Sequence, residues 1–142
     1  MENSGKIFSI NISAKKGIPK TPVKTARLIE NFGIEGDVHA GDQTRQVSLL
    51  SWENICRHPK LKPGDFAENI TTAGINLKKM KIGDKILIGE KAILEITQLG
   101  KECHSGCVIQ KETGKCIMPK LGIFAKVIKG GGISTGSTIV KI

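Results

Sequence analysis

Short apolar segments separated by glycine run along most of this chain, and several of them alternate as β-strands do. KIFSINIS (6–13) places Ile7, Ile10 and Ile12 in an imperfect alternation with polar residues. KILIGEKAILEITQLG (85–100) predicts a hairpin that turns at residues 89–90, because apolar residues then recur at every second position up to residue 96. We predict strands for these segments.

The other apolar segments favour the same mainly β fold. GIFAKVIKG (122–130) and STIVKI (137–142) each predict a short strand. RQVSLLSWENICRHP (45–59) has no period of two, and three of its apolar residues could share one helical face, so we predict a helix over residues 48–57 that ends before Pro59. The whole pattern indicates a β-barrel or sandwich with one or two short helices.

Length and composition narrow the class of protein. The chain has 142 residues, which predicts a single domain over residues 1–142 with its own apolar core. No apolar run reaches the roughly 18–20 residues of a membrane span, and we expect a cytoplasmic protein without a membrane partner. The formal charge of +9 favours an anionic partner, whereas four Phe, one Trp and no Tyr argue against a nucleic-acid partner.

The segment GIEGDVHAGDQTRQVSLL (33–50) concentrates polar chemistry in a glycine-rich loop. Asp37, His39, Asp42 and Arg45 fall within nine positions, and the glycines predict tight turns. Two interpretations stay open: a functional loop, or a surface turn whose Asp and His side chains cap the neighbouring backbone. Two potential metal ligands two residues apart do not define a metal site.

A second polar segment, PGDFAENITTAGINL (63–77), carries Asp65, Glu68 and Asn69 around one phenylalanine. Paired carboxylates can perform acid–base chemistry. Residues of this kind are more often turn formers and caps, and nothing in the segment distinguishes one carboxylate from the other.

The segment LGKECHSGCVIQKETGKC (99–116) holds three of the four cysteines. A disulfide framework is disfavoured for a reduced compartment and a chain of this length. Zinc could bind Cys103, His104, Cys107 and Cys116, although adjacent Cys and His seldom bind one ion together. The polar surroundings of Cys103 instead favour an accessible thiol whose pKa Lys101 and His104 could lower.

The remaining cysteine suggests a different role. Cys56 follows the apolar Ile55 in the predicted helix, and we expect it to be buried as a small apolar side chain.

Six fragments of the sequence, in this order, resemble the MOSC domain family, named for the C-terminal domain of the molybdenum cofactor sulfurases. They are GIEGDVHAG, RQVSLL, GDFAENITTAGINL, IGDKILIG, ITQLGKEC and GIFAKVIKGG. The resemblance extends from about Lys6 to Ile142 and is greatest to small stand-alone bacterial members. It implies a β-rich, barrel-like fold, in agreement with the strand pattern.

The resemblance also implies a function in molybdenum cofactor and sulfur metabolism. Members carry sulfane sulfur as a cysteine persulfide, or bind molybdenum cofactor or a related metal–sulfur species. TQLGKEC places Cys103 at the position of the family's signature cysteine. Many relatives have a proline-containing segment before that cysteine and an aromatic residue after it, where this chain has Glu102 and His104, so Cys107 remains an alternative reactive thiol.

On this resemblance, the Cys103 thiolate would take sulfur from a cysteine desulfurase that acts as donor. Arg45 would hold the phosphate of an anionic pterin-type ligand, the molybdenum cofactor, and Asp37 and His39 would position the loop or assist proton transfer. The further residues expected to line the cofactor pocket are Asn69, Lys101 and His104.

The sequence leaves two other functions open. Some relatives use molybdenum cofactor to reduce N-hydroxylated compounds, which would make the chain a redox enzyme. A non-enzymatic module that binds zinc or a partner protein is the third possibility.

Overall fold

The structure, a computed structural model, describes residues 3–15, 18–56, 61–100 and 122–142. These residues form mostly β-strands, with a one-turn helix α1 (Trp52–Ile55) and a 3-10 turn at Leu77–Lys79. In chain order the strands are β1 (Ser4–Ile12), β2 (Thr21–Val23), β3 (Thr25–Ile29), β4 (Gly33–Ile34), β5 (Val47–Ser51), β6 (Ile70–Ala73), β7 (Lys85–Ile88), β8 (Ala92–Leu99), β9 (Ile123–Lys129), β10 (Gly131–Ser134) and β11 (Thr138–Lys141).

The main sheet closes on itself as a barrel. Its strands follow the order β11-β7-β8-β9-β5-β6-β1, and β11 pairs again with β1, so that Ser4 lies opposite Val140 and Lys6 opposite Thr138. Closure pairs the edges of the sheet with each other, as in other β-barrels. The predicted barrel-like, mainly β fold is confirmed.

Three further features complete the arrangement of the strands. β2 continues the sheet beyond β1, and a second sheet of three strands has the order β10-β3-β4. β5 and β6 pair in parallel, with Leu49 opposite Ile70, so the chain between them must cross over. That crossover contains α1 and the residues up to Asn69.

Apolar side chains fill the barrel and cover part of its outer wall. The inner core includes Ile10, Leu49 and Leu94, all fully buried. Outside the wall, Leu50 packs in a second cluster with Ile55, among others. β5 is therefore buried on both faces, which explains why its apolar residues do not simply alternate with polar ones.

The strand predictions agree with the structure, but the predicted helix does not. The hairpin is formed by β7 and β8, with Ile88 opposite Ala92, and strands occupy the other three predicted segments. The helix predicted over residues 48–57 is wrong in its extent, because residues 47–51 form β5 and the described helix is the single turn of α1. A strand covered on both faces lacks alternation, and the sequence period alone does not separate it from a buried helix.

None of the helices in the described ranges is long and apolar enough to cross a membrane.

Candidate functional site

Asp37 lies at the centre of a buried polar cluster. Its Oδ1 accepts hydrogen bonds from Lys20 Nζ at 2.7 Å and from the backbone N–H of Ser13 at 3.1 Å. Its Oδ2 accepts from the backbone N–H of His39 at 3.1 Å. The side chains of Lys20 and Asp37 are fully buried. Such a pair is tolerated only because opposite charge and hydrogen bonds replace the lost water.

The turn after β4 aims the carboxylate of Asp37 inward. Gly36 has a φ of +88°, a conformation that glycine adopts without strain. The N–H of Asp37 then donates to the carbonyl of Ile34 at 3.1 Å, and the N–H of Val38 donates to the carbonyl of Ser13 at 2.8 Å. The glycine and two backbone hydrogen bonds thus hold the loop against the end of β1.

Asp37 is held in its ionised form. Burial by itself would raise the pKa of Asp37, but the interaction with His39, the hydrogen bond and charge of Lys20 and the amide of Asn69 outweigh it and hold the pKa well below its ordinary value. The carboxylate is therefore a fixed negative charge that anchors the ammonium of Lys20.

Lys20 reaches this position because the chain before β2 is fixed to the 61–69 loop. The N–H of Lys20 donates to the carbonyl of Gly64 at 2.7 Å. A Cβ on Gly64 would lie 2.2 Å from the carbonyl oxygen of Lys20, and Gly64 has a φ of +91°. Only glycine allows so close a contact in this backbone conformation.

Asn69 joins three strands beneath the site. Its Oδ1 accepts from the N–H of Ser48 at 2.9 Å and from its hydroxyl at 3.2 Å, while its Nδ2 donates to the carbonyl of Asn11 at 3.2 Å. Asn69 is fully buried and also contributes to the low pKa of Asp37. This amide therefore links β1 and β5 beneath the buried carboxylate.

Glu68 and Asp65 have different environments. Glu68 is fully buried, and its Oε2 accepts from the N–H of Gly64 at 2.9 Å and from the hydroxyl of Thr71 at 2.6 Å. Its Oε1 has no hydrogen-bond partner among the described residues, and burial raises the pKa of Glu68. Asp65 is a turn former, since it accepts from the N–H of Lys62 at 3.0 Å.

Arg45 belongs to the same loop as Asp37 and His39 but is exposed. Asp42 Oδ1 accepts from the backbone N–H groups of Thr44 at 3.0 Å and Arg45 at 2.9 Å. Burial by itself would raise the pKa of Asp42. These two hydrogen bonds and the positive charge of Arg45 outweigh it and lower the pKa. The capping interpretation is thus correct for Asp42, and it fixes the backbone from which the Arg45 guanidinium projects.

The loop of residues 37–45, the Arg45 loop, is attached to the end of β8. The hydroxyl of Thr97 donates to the carbonyl of Thr44, and the Thr44 hydroxyl lies 3.4 Å from Gln98 Oε1. Gln98 Nε2 donates in turn to the carbonyl of Gly100 at 2.8 Å. Gly100, the last described residue before the rest of the cysteine-rich segment, is therefore linked through Gln98 to the Arg45 loop.

The structure brings together three of the predicted site residues, Asp37, His39 and Asn69. His39 is partly exposed, with 25% of its side chain accessible, so the cluster opens to solvent through this ring. The predicted residues that lie outside the described part of the chain are Lys101, Cys103, His104, Cys107 and Cys116.

The prediction of a buried Cys56 is wrong. Cys56 is an exposed free thiol at the end of α1, where its N–H donates to the carbonyl of Trp52 at 2.8 Å. In the longer predicted helix Cys56 would face the core. The observed helix α1 has one turn, and Cys56 is its exposed C-cap. Within the described ranges, no group of three or more His, Cys, Asp and Glu side chains could hold a metal ion.

Lys20 was not predicted as a site residue. It stands in GIPKTPVKT (17–25), where nothing in the spacing separates it from Lys24, which is exposed. The one local signal is Pro19 beside it, which fixes the backbone but does not indicate burial. Asp37, the carboxylate that pairs with the buried Lys20, lies 17 residues away in the sequence, and only the fold brings the two side chains together.

Comparison with known families agrees with this architecture. The model of the MOSC domain matches residues 35–140, most of the chain. The chain belongs to the MOSC domain family. The matched region starts two residues before Asp37 and includes His39, Arg45 and Asn69.

Individual relatives are more distant. The uncharacterized protein YflK of Bacillus subtilis strain 168 is 27% identical over 158 aligned positions, covering 96% of this chain and 69% of YflK. The crystal structure of YuaD from B. subtilis has a TM-score of 0.77 at 22% identity, covering 96% of this chain and 94% of YuaD. The crystal structure of YiiM from Geobacillus stearothermophilus has a TM-score of 0.72 at 23% identity, covering 96% of this chain and 74% of YiiM. The two solved structures support the MOSC fold.

Substitution of Gly64 tests the contact that positions Lys20. We expect Gly64→Ala to destabilise the protein more than Gly83→Ala. Both glycines have φ above +90°, so both variants incur about 1–2 kcal/mol of backbone strain. Only Gly64 also meets a backbone oxygen, whereas a Cβ on Gly83 meets nothing within 4 Å. Urea unfolding followed by the fluorescence of Trp52, the single tryptophan, measures both. Equal losses would contradict the close-contact argument.

The buried carboxyl of Glu68 predicts a pH dependence of stability. Its pKa in the folded chain lies above the ordinary 4.5, so the folded state binds the proton more tightly than the unfolded state. The stabilisation is complete below pH 4.5 and is lost as the pH rises through the raised pKa. We expect Glu68→Gln, a neutral isostere, to lose this dependence and to gain stability relative to wild type as the pH rises.

Denaturant midpoints at a mildly acidic and a mildly alkaline pH measure this difference. Glu90→Gln, at an exposed residue in the β7–β8 turn, is the matched control and should follow the wild type. Parallel behaviour of Glu68→Gln and wild type across the pH range would show that Glu68 is ionised in both states.

Proposed function

We propose that this MOSC-domain protein binds an anionic pterin-type ligand, the molybdenum cofactor, beside the 37–45 loop and carries sulfane sulfur on Cys103. The observation that supports the proposal is the attachment of the Arg45 loop to the end of β8 through Thr44 and Gln98. Two sequence motifs that are more than 50 residues apart thereby share one region of the surface.

The reach of the chain supports a common site. Cys103 follows Gly100 by three residues, and three residues of fully extended chain span at most about 11 Å. The carbonyl of Gly100 is bound by Gln98, which lies beside Thr44, one residue before Arg45. A reach of this length would allow the thiol that the family resemblance selects to approach the Arg45 loop.

The side chains at this surface suit an anionic ligand. The Arg45 guanidinium is exposed and offers several N–H donors in one plane, which match the oxygens of a phosphate group. His39 adds a partly exposed imidazole held by a buried ion pair. Arg45 and His39 would hold the anionic group of the cofactor, and the bound cofactor would supply a molybdenum centre able to accept sulfur.

Sulfur transfer to Cys103 requires a persulfide donor, and a cysteine desulfurase is the class of partner that supplies one. The Cys103 thiolate attacks the outer sulfur of the donor persulfide, a new sulfur–sulfur bond forms on Cys103, and the donor cysteine leaves as a thiolate. No net oxidant is consumed, because the sulfane sulfur moves between two thiols.

Labelling with sulfane sulfur tests the carrier role. The purified chain is incubated with a cysteine desulfurase and radiolabelled cysteine, and protein-bound sulfane sulfur is counted before and after reduction. We expect Cys103→Ser to lose nearly all the label, and Cys107→Ser, the matched control in the same segment, to keep it. Full labelling of Cys103→Ser, or loss only in Cys107→Ser, would assign the sulfur to another thiol.

Substitution of Arg45 tests the ligand site separately. After expression in a host that makes molybdenum cofactor, we expect wild type to retain molybdenum and Arg45→Ala to retain about tenfold less, because a charge-assisted bidentate contact is lost. Arg27→Ala removes the same charge from an exposed position on β3 and should bind as wild type does. Wild-type protein without molybdenum, or equal losses in both variants, would refute the cofactor site.

A further inference from the structure

Lys20 Nζ lies between two acceptor atoms in the polar cluster. It is 2.7 Å from Asp37 Oδ1 and 3.1 Å from His39 Nδ1. Its side chain and that of Asp37 are fully buried, and the carboxylate is ionised. A buried lysine at this distance from a carboxylate is an ammonium, which has three N–H donors and no acceptor.

This donor decides which nitrogen of His39 carries the proton. A distance of 3.1 Å between Lys20 Nζ and His39 Nδ1 is a hydrogen bond only if Nδ1 has its lone pair free. With a proton on Nδ1, two N–H groups would face each other at that distance. A doubly protonated ring would also place two positive charges side by side.

Asp37 does not provide an alternative acceptor for a proton on Nδ1. The distance from His39 Nδ1 to Asp37 Oδ2 is 3.7 Å, which is too long for a hydrogen bond. Oδ2 is engaged instead by the backbone N–H of His39 at 3.1 Å. The imidazole of His39 still helps to lower the pKa of Asp37, because it lies beside the carboxylate.

We infer that Lys20 is a positioning residue that holds His39 as the neutral tautomer protonated on Nε2. The tautomer is assigned from the hydrogen-bond distances around the ring. His39 then offers one N–H donor to whatever meets its exposed edge, and its lone pair is already used by Lys20. The ring cannot take a proton from a ligand through Nε2, so the role of His39 is donation to an acceptor.

This assignment specifies the ligand more narrowly, and in that respect it rests on the proposed function. The group that contacts His39 must present a hydrogen-bond acceptor, such as an oxygen of a phosphate or another oxyanion, whereas an ammonium or amide N–H would meet a second donor. Among the described residues, the charged groups near the ring include Lys20 and Asp37 in the cluster and Asp42 on the same loop, whose pKa responds to His39 and Arg45. Lys20 and Asp37 offset each other's charge, so the Nε2–H of the neutral ring is the group that selects an acceptor.

Nitrogen NMR of the cofactor-free chain tests the tautomer. Long-range correlations in the 15N-labelled protein distinguish a pyrrole-like from a pyridine-like ring nitrogen. The chain has three histidines, and His39→Gln identifies the signals of His39. We expect Nε2 to be pyrrole-like and Nδ1 pyridine-like at neutral pH, with no mixture of tautomers.

Lys20→Met removes the donor, and Lys24→Met is the matched control at an exposed lysine four residues later. We expect Lys20→Met to give a mixture in which Nδ1 is partly protonated, and Lys24→Met to match wild type. An unchanged spectrum in a folded Lys20→Met chain overturns the role of Lys20.

Because the tautomer is observed in wild type, the test stands even if Lys20→Met does not fold. A proton on Nδ1, or a tautomer mixture, in wild type overturns the inference directly. The test needs no cofactor, so a chain that binds no molybdenum but shows the predicted tautomer refutes only the proposed function.

Discussion

The buried ion pair between Lys20 and Asp37 is the interaction on which the polar end of this barrel depends. Removing both charges from water is costly, and the cost is offset only if each charge keeps several partners. Asp37 has the N–H groups of Ser13 and His39 besides the ammonium. The loop from β4 to β5 is therefore fixed at its buried end, although its other end, at Arg45, is exposed.

A layer of neutral hydrogen bonds connects this ion pair to the barrel wall. Asn11 Nδ2 donates to the hydroxyl of Thr71 and to the carbonyl of Glu68, both at 3.1 Å, and its backbone N–H donates to Asn69. These residues come from β1 and β6 and from the end of the crossover. In a low-dielectric interior a network of this kind is stable only when its members are satisfied together, which couples the geometry of the site to correct strand register.

Much of the fold could be predicted from the sequence, because strands covered on one face show alternation and the turns between them carry glycine. The hairpin of β7 and β8 is the clearest example. β5 could not be predicted, since Val47 and Leu50 are buried on opposite faces and the period disappears. The prediction for Cys56 is wrong for the same reason, because its expected burial followed from the helix predicted over residues 48–57.

The site was predictable only in part. Asp37 and His39 stand out because they share a glycine-rich loop, and Asn69 stands out because it follows a carboxylate in a second polar segment. Lys20 carries no such signal, since its role comes from an acceptor 17 residues later and from a glycine contact that the fold creates. Burial of a lysine depends on tertiary contacts, and the residues next to it in the sequence do not indicate it.

The pairing of β1 with β11 has a consequence for how the chain is made. β1 is synthesised long before β11, yet its residues 4–6 pair with β11, so the ring of strands cannot close until residues 138–140 have left the ribosome. Until then the exposed edges of the unfinished sheet are open to pairing with other nascent chains. Assembly of the barrel therefore includes a late step that pairs strands far apart in the sequence.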